Sequence, residues 1–257
     1  MIRTAIIAAM PGELKPLVHG WRHEKRNRLS GSNVDLWRWR FDAGEWIAAS
    51  AGAGQNAATR ALAEVEKDGP VASVLSVGWA GALSEAYLCG HAYHVSGVID
   101  TLTGERFKAS PFLPLRPKED ARAGHPDLWL ATSPKVADAN EKQRLATAYR
   151  AGLVDMEAAA IARLAAMRGV AFHCIKGVSD GFGDQLPDFN RFLTREGQFQ
   201  TLRFTVFALF HPGYWPALKQ MGENSKKAAQ SMAEAILELL DPQETIRKRN
   251  GYPDHRR

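Results

Sequence analysis

Acidic side chains sit beside small or turn-forming residues at three places in this 257-residue sequence: Glu13 in Met10-Pro11-Gly12-Glu13, Asp155 and Glu157 in Val154-Asp155-Met156-Glu157, and Asp180 in Ser179-Asp180-Gly181. Carboxyl groups held at strand ends can act as general acids or bases once partial burial tunes their proton affinity. In open α/β sheets, ligands bind beyond the carboxyl ends of the strands. Local structure accounts for each group equally well. Pro11 and Glu13 fit the first turn of a helix, where the dipole favours an acid. Asp155 fits a helix cap with Glu157 in the first turn, and an aspartate before glycine is an ordinary turn residue. Two small-residue segments, Ala51-Gly52-Ala53-Gly54 and Gly78-Trp79-Ala80-Gly81, would let backbone N–H groups approach a phosphate or a sugar. Neither spells a dinucleotide or phosphate-loop fingerprint, and a tight strand-to-helix turn explains both.

The elements that must position these groups follow from apolar runs and helical spacing. Thr4–Ala9 reads as a first buried strand, and Trp37–Phe41 with Trp46–Ser50 as a hairpin around Asp42-Ala43-Gly44. Gln55–Lys67 reads as a helix with Ala57, Ala61 and Val65 on one face. Val71–Val77 is a second buried strand running into a turn at Gly78–Gly81. Ala92–Ile99 and Leu128–Thr132 are further strands, separated by a loop with Pro111, Pro114 and Pro117. Met156–Arg168 is an alanine-rich helix stopped by Gly169, Val170–Val178 is another strand, and Lys226–Leu240 is a closing amphipathic helix. This alternation predicts one α/β domain over residues 1–241 with a central mixed, largely parallel sheet flanked by helices. An aromatic-rich insertion (about 181–222) precedes the closing helix, and a basic tail (242–257) follows it.

Composition narrows the function classes. The formal charge of +5 is gathered in the run Arg22–Arg28 and in the tail (Arg247, Lys248, Arg249, Arg256, Arg257), which reads as solvated surface rather than a nucleic-acid face. Two distant cysteines, Cys89 and Cys174, form no disulfide framework and suit a reducing cytoplasm. No apolar stretch is long enough for a transmembrane segment. His19, His23, His91 and His94 have no convincing metal-ligand arrangement, so no metal is expected.

Taken together, the segments resemble the nucleoside phosphorylase / nucleosidase superfamily, most closely its 5′-methylthioadenosine/S-adenosylhomocysteine nucleosidases. VDMEAAAIARLAAMRGVAFHCIKGVSD is similar to that family's V-x-M-E-[AT]-x-A helix followed by a strand ending in Ser-Asp. IIAAMPGEL is similar to its opening strand, AGAGQNAATRA to its S-G-x-G-x-x-x-A-A segment, and SVGWAGAL to its [NS]-x-G-x-A-G-x-L turn. The four occur in the family's order and approximate spacing from Thr4 to about Asp180.

The resemblance implies cleavage of the N-glycosidic bond of a purine, expected adenine, nucleoside. Glu13 stands where the family activates the attacking water, and Asp180, beside Ser179, where it protonates purine N7. Met156 stands beneath the ribose, Glu157 at its hydroxyls, and Ala80 in the turn bordering the ribose and nucleophile. Val136, or Lys135, takes the place of an aromatic that stacks on the base. Asp180→Asn is expected to abolish turnover and to change stability little. No cofactor is implied. Inorganic phosphate would be a co-substrate only in a phosphorylase, whose arginine is replaced here by Ser76, with Arg106 as a candidate substitute. A catalytically idle nucleoside-binding protein is the remaining alternative, raised by Trp79 at a position usually small. The implied partners are a purine nucleoside, with an adenosylated apolar substrate as one version, and further copies of the chain in a homo-oligomer. The insertion is expected to be an oligomer contact or a port for an apolar 5′ substituent at the mouth of the site.

Overall fold

The structure is a computed structural model that describes residues 2–26, 33–41, 44–110, 127–185, 187–194 and 199–240. In chain order the strands and helices are β1 (Ile2–Ala8), α1 (Pro11–Leu14), β2 (Arg22–Arg26), β3 (Val34–Phe41), β4 (Gly44–Ser50), α2 (Gln55–Glu66), β5 (Ser73–Ala82), β6 (Ala92–His94), β7 (Gly97–Asp100), β8 (Arg106–Lys108), β9 (Trp129–Thr132), α3 (Ala139–Tyr149), β10 (Leu153–Asp155), α4 (Ala158–Arg168), β11 (Ala171–Asp180), α5 (Thr201–Leu209) and α6 (Trp215–Leu240). Short 3₁₀ turns occupy Phe189–Phe192 and Pro212–Tyr214. All strands join one mixed sheet of eleven in the order β2-β3-β4-β1-β5-β10-β9-β7-β8, with β11 on β5 and β6 on β11.

Helices cover both faces. β1 is buried on both sides from Arg3 to Ala8, as expected of a central parallel strand. One face carries Ala57, Ala58, Ala61, Leu62 and Val65 of α2 and the small residues Ala158, Ala159, Ala162 and Ala165 of α4. The other face is closed by Ala229, Met232, Ala233 and Ile236 of α6. α4 ends at Gly169, whose φ of 65° is the left-handed conformation that stops a helix.

Several expectations need correction. Gly78–Gly81 is not a turn but the second half of β5, which continues because β11 pairs with it as far as Gly81. Ala92–Ile99 divides into β6, antiparallel to β11, and β7, parallel to β9. The closing helix starts at Trp215 rather than Lys226. The basic run is, through Arg26, the edge strand β2, antiparallel to β3. Arg26 there donates to Glu24 at 2.7 Å and to Asp68 at 2.8 Å. A charged edge of this kind discourages pairing with another sheet. Asn27, Arg28, Asp42, Ala43, the three loop prolines and the basic tail lie outside the described residues. Among the described residues, no helix is long and apolar enough to cross a membrane.

The insertion builds its own small core. Phe192, 4% exposed, is ringed by Phe199, Phe204 and Phe207 at centroid distances of 5.2–6.4 Å. Val206, Leu209, Phe210 and Trp215 face outward.

Candidate active site

The chemistry-bearing groups gather where the sheet changes partner. β1 pairs with β5 only as far as Ser76, and β10 joins β5 at Gly81. Along the interval between them the edge of β5 facing β1 and β10 is open, and the Glu13 carboxylate occupies it. Its Oε1 accepts the Trp79 backbone N–H at 2.7 Å and its Oε2 accepts that of Met10 at 2.7 Å. Gly78 makes this possible: its φ is 143°, and a Cβ there would stand 2.8 Å from Glu13 Oε1. Burial pushes the Glu13 carboxyl above its usual range, outweighing the backbone N–H groups and the nearby Lys176, which favour its charge. Glu13 is therefore both the acid in the first turn of α1 and a buried base candidate.

Trp79 does not intrude on this space. Alternation along β5 turns its side chain away from Ala80 and toward α6. There the indole N–H donates to the Ser225 carbonyl at 3.0 Å.

Lys176 lies beneath the second carboxyl group. Its ammonium is fully buried and 2.8 Å from Asp155 Oδ2. Burial disfavours its charge, but Asp155 and Glu157 outweigh that and hold its proton more tightly than usual. Asp155 also accepts from Thr132 Oγ1 at 2.7 Å and from the Ala158 N–H at 2.9 Å, so it satisfies the first N–H of α4 although the cap position itself falls at Glu157, not at Asp155 as expected. Glu157 is the residue before α4 rather than in its first turn. Its carboxylate accepts from Gly54 N at 2.6 Å and Met156 N at 3.2 Å. The glycine segment at Ala51–Gly54 thus spends one N–H on a carboxylate of its own chain. Burial first, and then the charge of Asp155, pushes the Glu157 carboxyl up to about 8.

A stability consequence follows. A carboxyl that holds its proton more tightly folded than unfolded lowers stability as pH rises between its unfolded value of 4.5 and its folded value of about 8. Glu157→Gln carries no such proton, so its unfolding free energy should fall less than that of the wild type between pH about 5 and about 8. Urea unfolding at the two pH values measures this, and parallel curves would contradict it.

Asp180 closes the constellation at the end of β11, opposite Gly81. Its Oδ1 accepts from Ser179 Oγ at 2.6 Å and its Oδ2 from the Lys142 ammonium at 2.5 Å. Lys142 also donates to the Gly181 carbonyl at 2.6 Å. A Cβ on Gly81 would stand 2.9 Å from Asp180 Oδ2 and 3.0 Å from Lys142 Cε, so glycine is what admits the pair. Beside it, Val136 is held by Asn190 of the insertion: the Val136 N–H donates to Asn190 Oδ1 at 2.8 Å, and Asn190 Nδ2 donates to the Val136 carbonyl at 3.0 Å. Lys135 is exposed. The insertion therefore docks on the segment where base contacts are expected.

Glu13 and Asp180 flank the same β5 segment as Ala80, and Glu157, bonded to the Met156 N–H, is coupled to Glu13 through its charge. Arg106 is not brought in. It is exposed on β8, where its guanidinium lies over the Trp129 ring. Sequence reasoning missed both lysines. Lys176 had a signal, since a charge inside the apolar strand AFHCIKGV must find a partner when buried. Lys142 had none, because no local pattern marks α3 as part of the site. The two ammonium groups, Lys142 and Lys176, offset Asp180 and Asp155, which leaves Glu13 and Glu157, both held above the usual carboxylate range, as groups suited to proton transfer.

Residues 130–205 match the family model of the phosphorylase superfamily. No curated protein matches the sequence. Solved structures are similar over nearly the whole chain. S-adenosylhomocysteine nucleosidase from Streptococcus pyogenes, in complex with 5-methylthiotubericidin, superposes with a TM-score of 0.70 at 18% identity, covering 94% of this chain and 97% of its own. A mutant of Helicobacter pylori 5′-methylthioadenosine/S-adenosylhomocysteine nucleosidase, with 5′-methylthioadenosine in its active site, gives 0.69 at 16%, covering 94% and 99%. Helicobacter pylori futalosine hydrolase gives 0.67 at 17%, covering 94% and 98%. At these identities the likeness is one of fold. The chain thus has the fold of these nucleosidases, and its segment carrying Asp155, Glu157 and Asp180 matches the phosphorylase superfamily in sequence.

Proposed function

We propose that this protein hydrolyses the N-glycosidic bond of a purine nucleoside, with adenine as the expected base. The observation that carries the reading is that Glu13 and Asp180 meet β5 at Trp79 and Gly81 from its two edges, with Glu157 near enough to Glu13 for their charges to interact. Departure of the base leaves an oxocarbenium-like sugar, which a site rich in carboxylates stabilises. Glu13, its proton affinity raised by burial, takes a proton from the attacking water. Glu157 receives the ribose hydroxyls, Met156 packs beneath the ring, and Ala80 borders it. Asp180, oriented by Ser179, hands a proton to N7, and Val136 contacts the base. The nucleosides bound by the Streptococcus and Helicobacter relatives favour an adenine nucleoside with a 5′-thioether.

Phosphorolysis is the second reading. The stacking of Arg106 on Trp129 and the buried Ser76 at the arginine position favour water. Incubation with a nucleoside panel, with and without inorganic phosphate, and chromatography of the released base tests both. Base release that needs phosphate would replace hydrolysis with phosphorolysis, and no release at all would leave a binding protein.

Glu13→Gln and Glu157→Gln should fail differently. The first should lower kcat with little change in KM, since the change acts on the nucleophile. The second should also raise KM, and by less for 2′-deoxyribosides, which lack one hydroxyl. Steady-state kinetics on a riboside and its 2′-deoxy analogue separate the two, and identical profiles would merge their roles.

A further inference from the structure

We propose that Lys142 supplies the proton that Asp180 passes to the leaving base. This rests on the nucleosidase reading above and assigns a residue that neither the motifs nor the fold comparison points to.

Both Asp180 oxygens are already accepting, Oδ1 from Ser179 and Oδ2 from Lys142 at 2.5 Å. Ion-paired with Lys142 as a carboxylate, Asp180 needs a donor to supply any proton it passes to N7. The group in the pair that carries protons is the Lys142 ammonium, whose side chain is 2% exposed against 15% for Asp180. The carboxylate is thus the more exposed member of the pair, and the ammonium the more deeply buried. The Gly181 carbonyl, 2.6 Å from Nζ, accepts a second N–H and fixes the ammonium, and Gly81 leaves the room for it. A register shift in β11 between Val178 and Asp180 then sets Asp180 opposite Gly81, on the edge of β5 across from Glu13.

The step balances. The N9–C1′ bond breaks with its electron pair going to the purine, and N7 takes a proton from Asp180. That proton comes from Lys142 through the Asp180 carboxylate, which ends as it began, and Lys142 is left as the neutral amine. Water forms the new bond at C1′ and gives its proton to Glu13. Transfer of that proton to solvent, and uptake of one by Lys142, restore the starting state. Lys142 acts through Asp180 and does not touch the substrate.

The test varies the leaving group. A purine needs a proton to leave, whereas 4-nitrophenolate does not. With adenosine or 5′-methylthioadenosine, Lys142→Met should lose at least ~100-fold in kcat, and with 4-nitrophenyl β-D-ribofuranoside less than about threefold. Lys142→Arg keeps a cation but releases no proton, so it should show the same split. The nitrophenyl riboside also reports that each variant has folded. Equal losses on both substrate types would make Lys142 merely structural and overturn the proposal. So would a Lys142→Arg variant with wild-type rates on the purine nucleosides. A wild-type protein inert toward all three compounds would instead remove the nucleosidase reading, and this assignment with it.

Discussion

Asp180→Asn is expected to lower turnover of purine nucleosides by roughly two to four orders of magnitude, the usual worth of a positioned general acid. An amide still fills the space and accepts a hydrogen bond, but it relays no proton. The same change should cost about 3 kcal/mol of folding stability, because it leaves the Lys142 ammonium buried without its counter-charge. This revises the expectation from the sequence that stability would change little, which overlooked Lys142. Activity on the nucleoside panel and urea unfolding check the two effects separately. Wild-type rates would remove Asp180 from the mechanism, and unchanged stability would mean that the ammonium finds another partner.

Lys176→Met should be the most destabilising single change in the site, at about 4 kcal/mol. Lys176 and Asp155 are 1% and 0% exposed, so the substitution strands a carboxylate in the core, with only the Thr132 hydroxyl and the Ala158 N–H to satisfy it. Removing the charge of Asp155 as well, in Lys176→Met/Asp155→Asn, should restore most of the loss, since the penalty belongs to the unpaired ion rather than to the missing contact. Chemical denaturation of both variants measures this. Additive losses in the double variant would mean that the pair is not the source of the cost.

The reach of sequence reasoning differs between elements. β1, α2, α4 and β11 were legible because buried parallel strands read as unbroken apolar runs and their covering helices as stripes of small residues. β10 is only three residues long, Leu153–Asp155, and its role as a partner of both β5 and β9 is a tertiary fact that no local pattern carries. Gly78–Gly81 reads as a turn because glycines signal one when nothing is known of the neighbouring strand. In the fold they leave room for the Glu13 and Asp180 carboxylates and the Lys142 side chain to approach β5. The acidic candidates could be named from strand ends and motif likeness. What holds them could not, since Lys142 reaches Asp180 across 38 positions and Lys176 reaches Asp155 through the fold.

Trp79 also offers a way to watch the site at work. Its main-chain amide proton is held by Glu13, and its indole proton by the Ser225 carbonyl on α6. One residue therefore carries two nuclear magnetic resonance signals with separate meanings in a ¹⁵N-labelled sample. The amide resonance follows the charge of Glu13 through a pH titration. The indole resonance follows the seating of α6 against the sheet, so ionisation and helix docking can be read apart in a single spectrum without altering any residue.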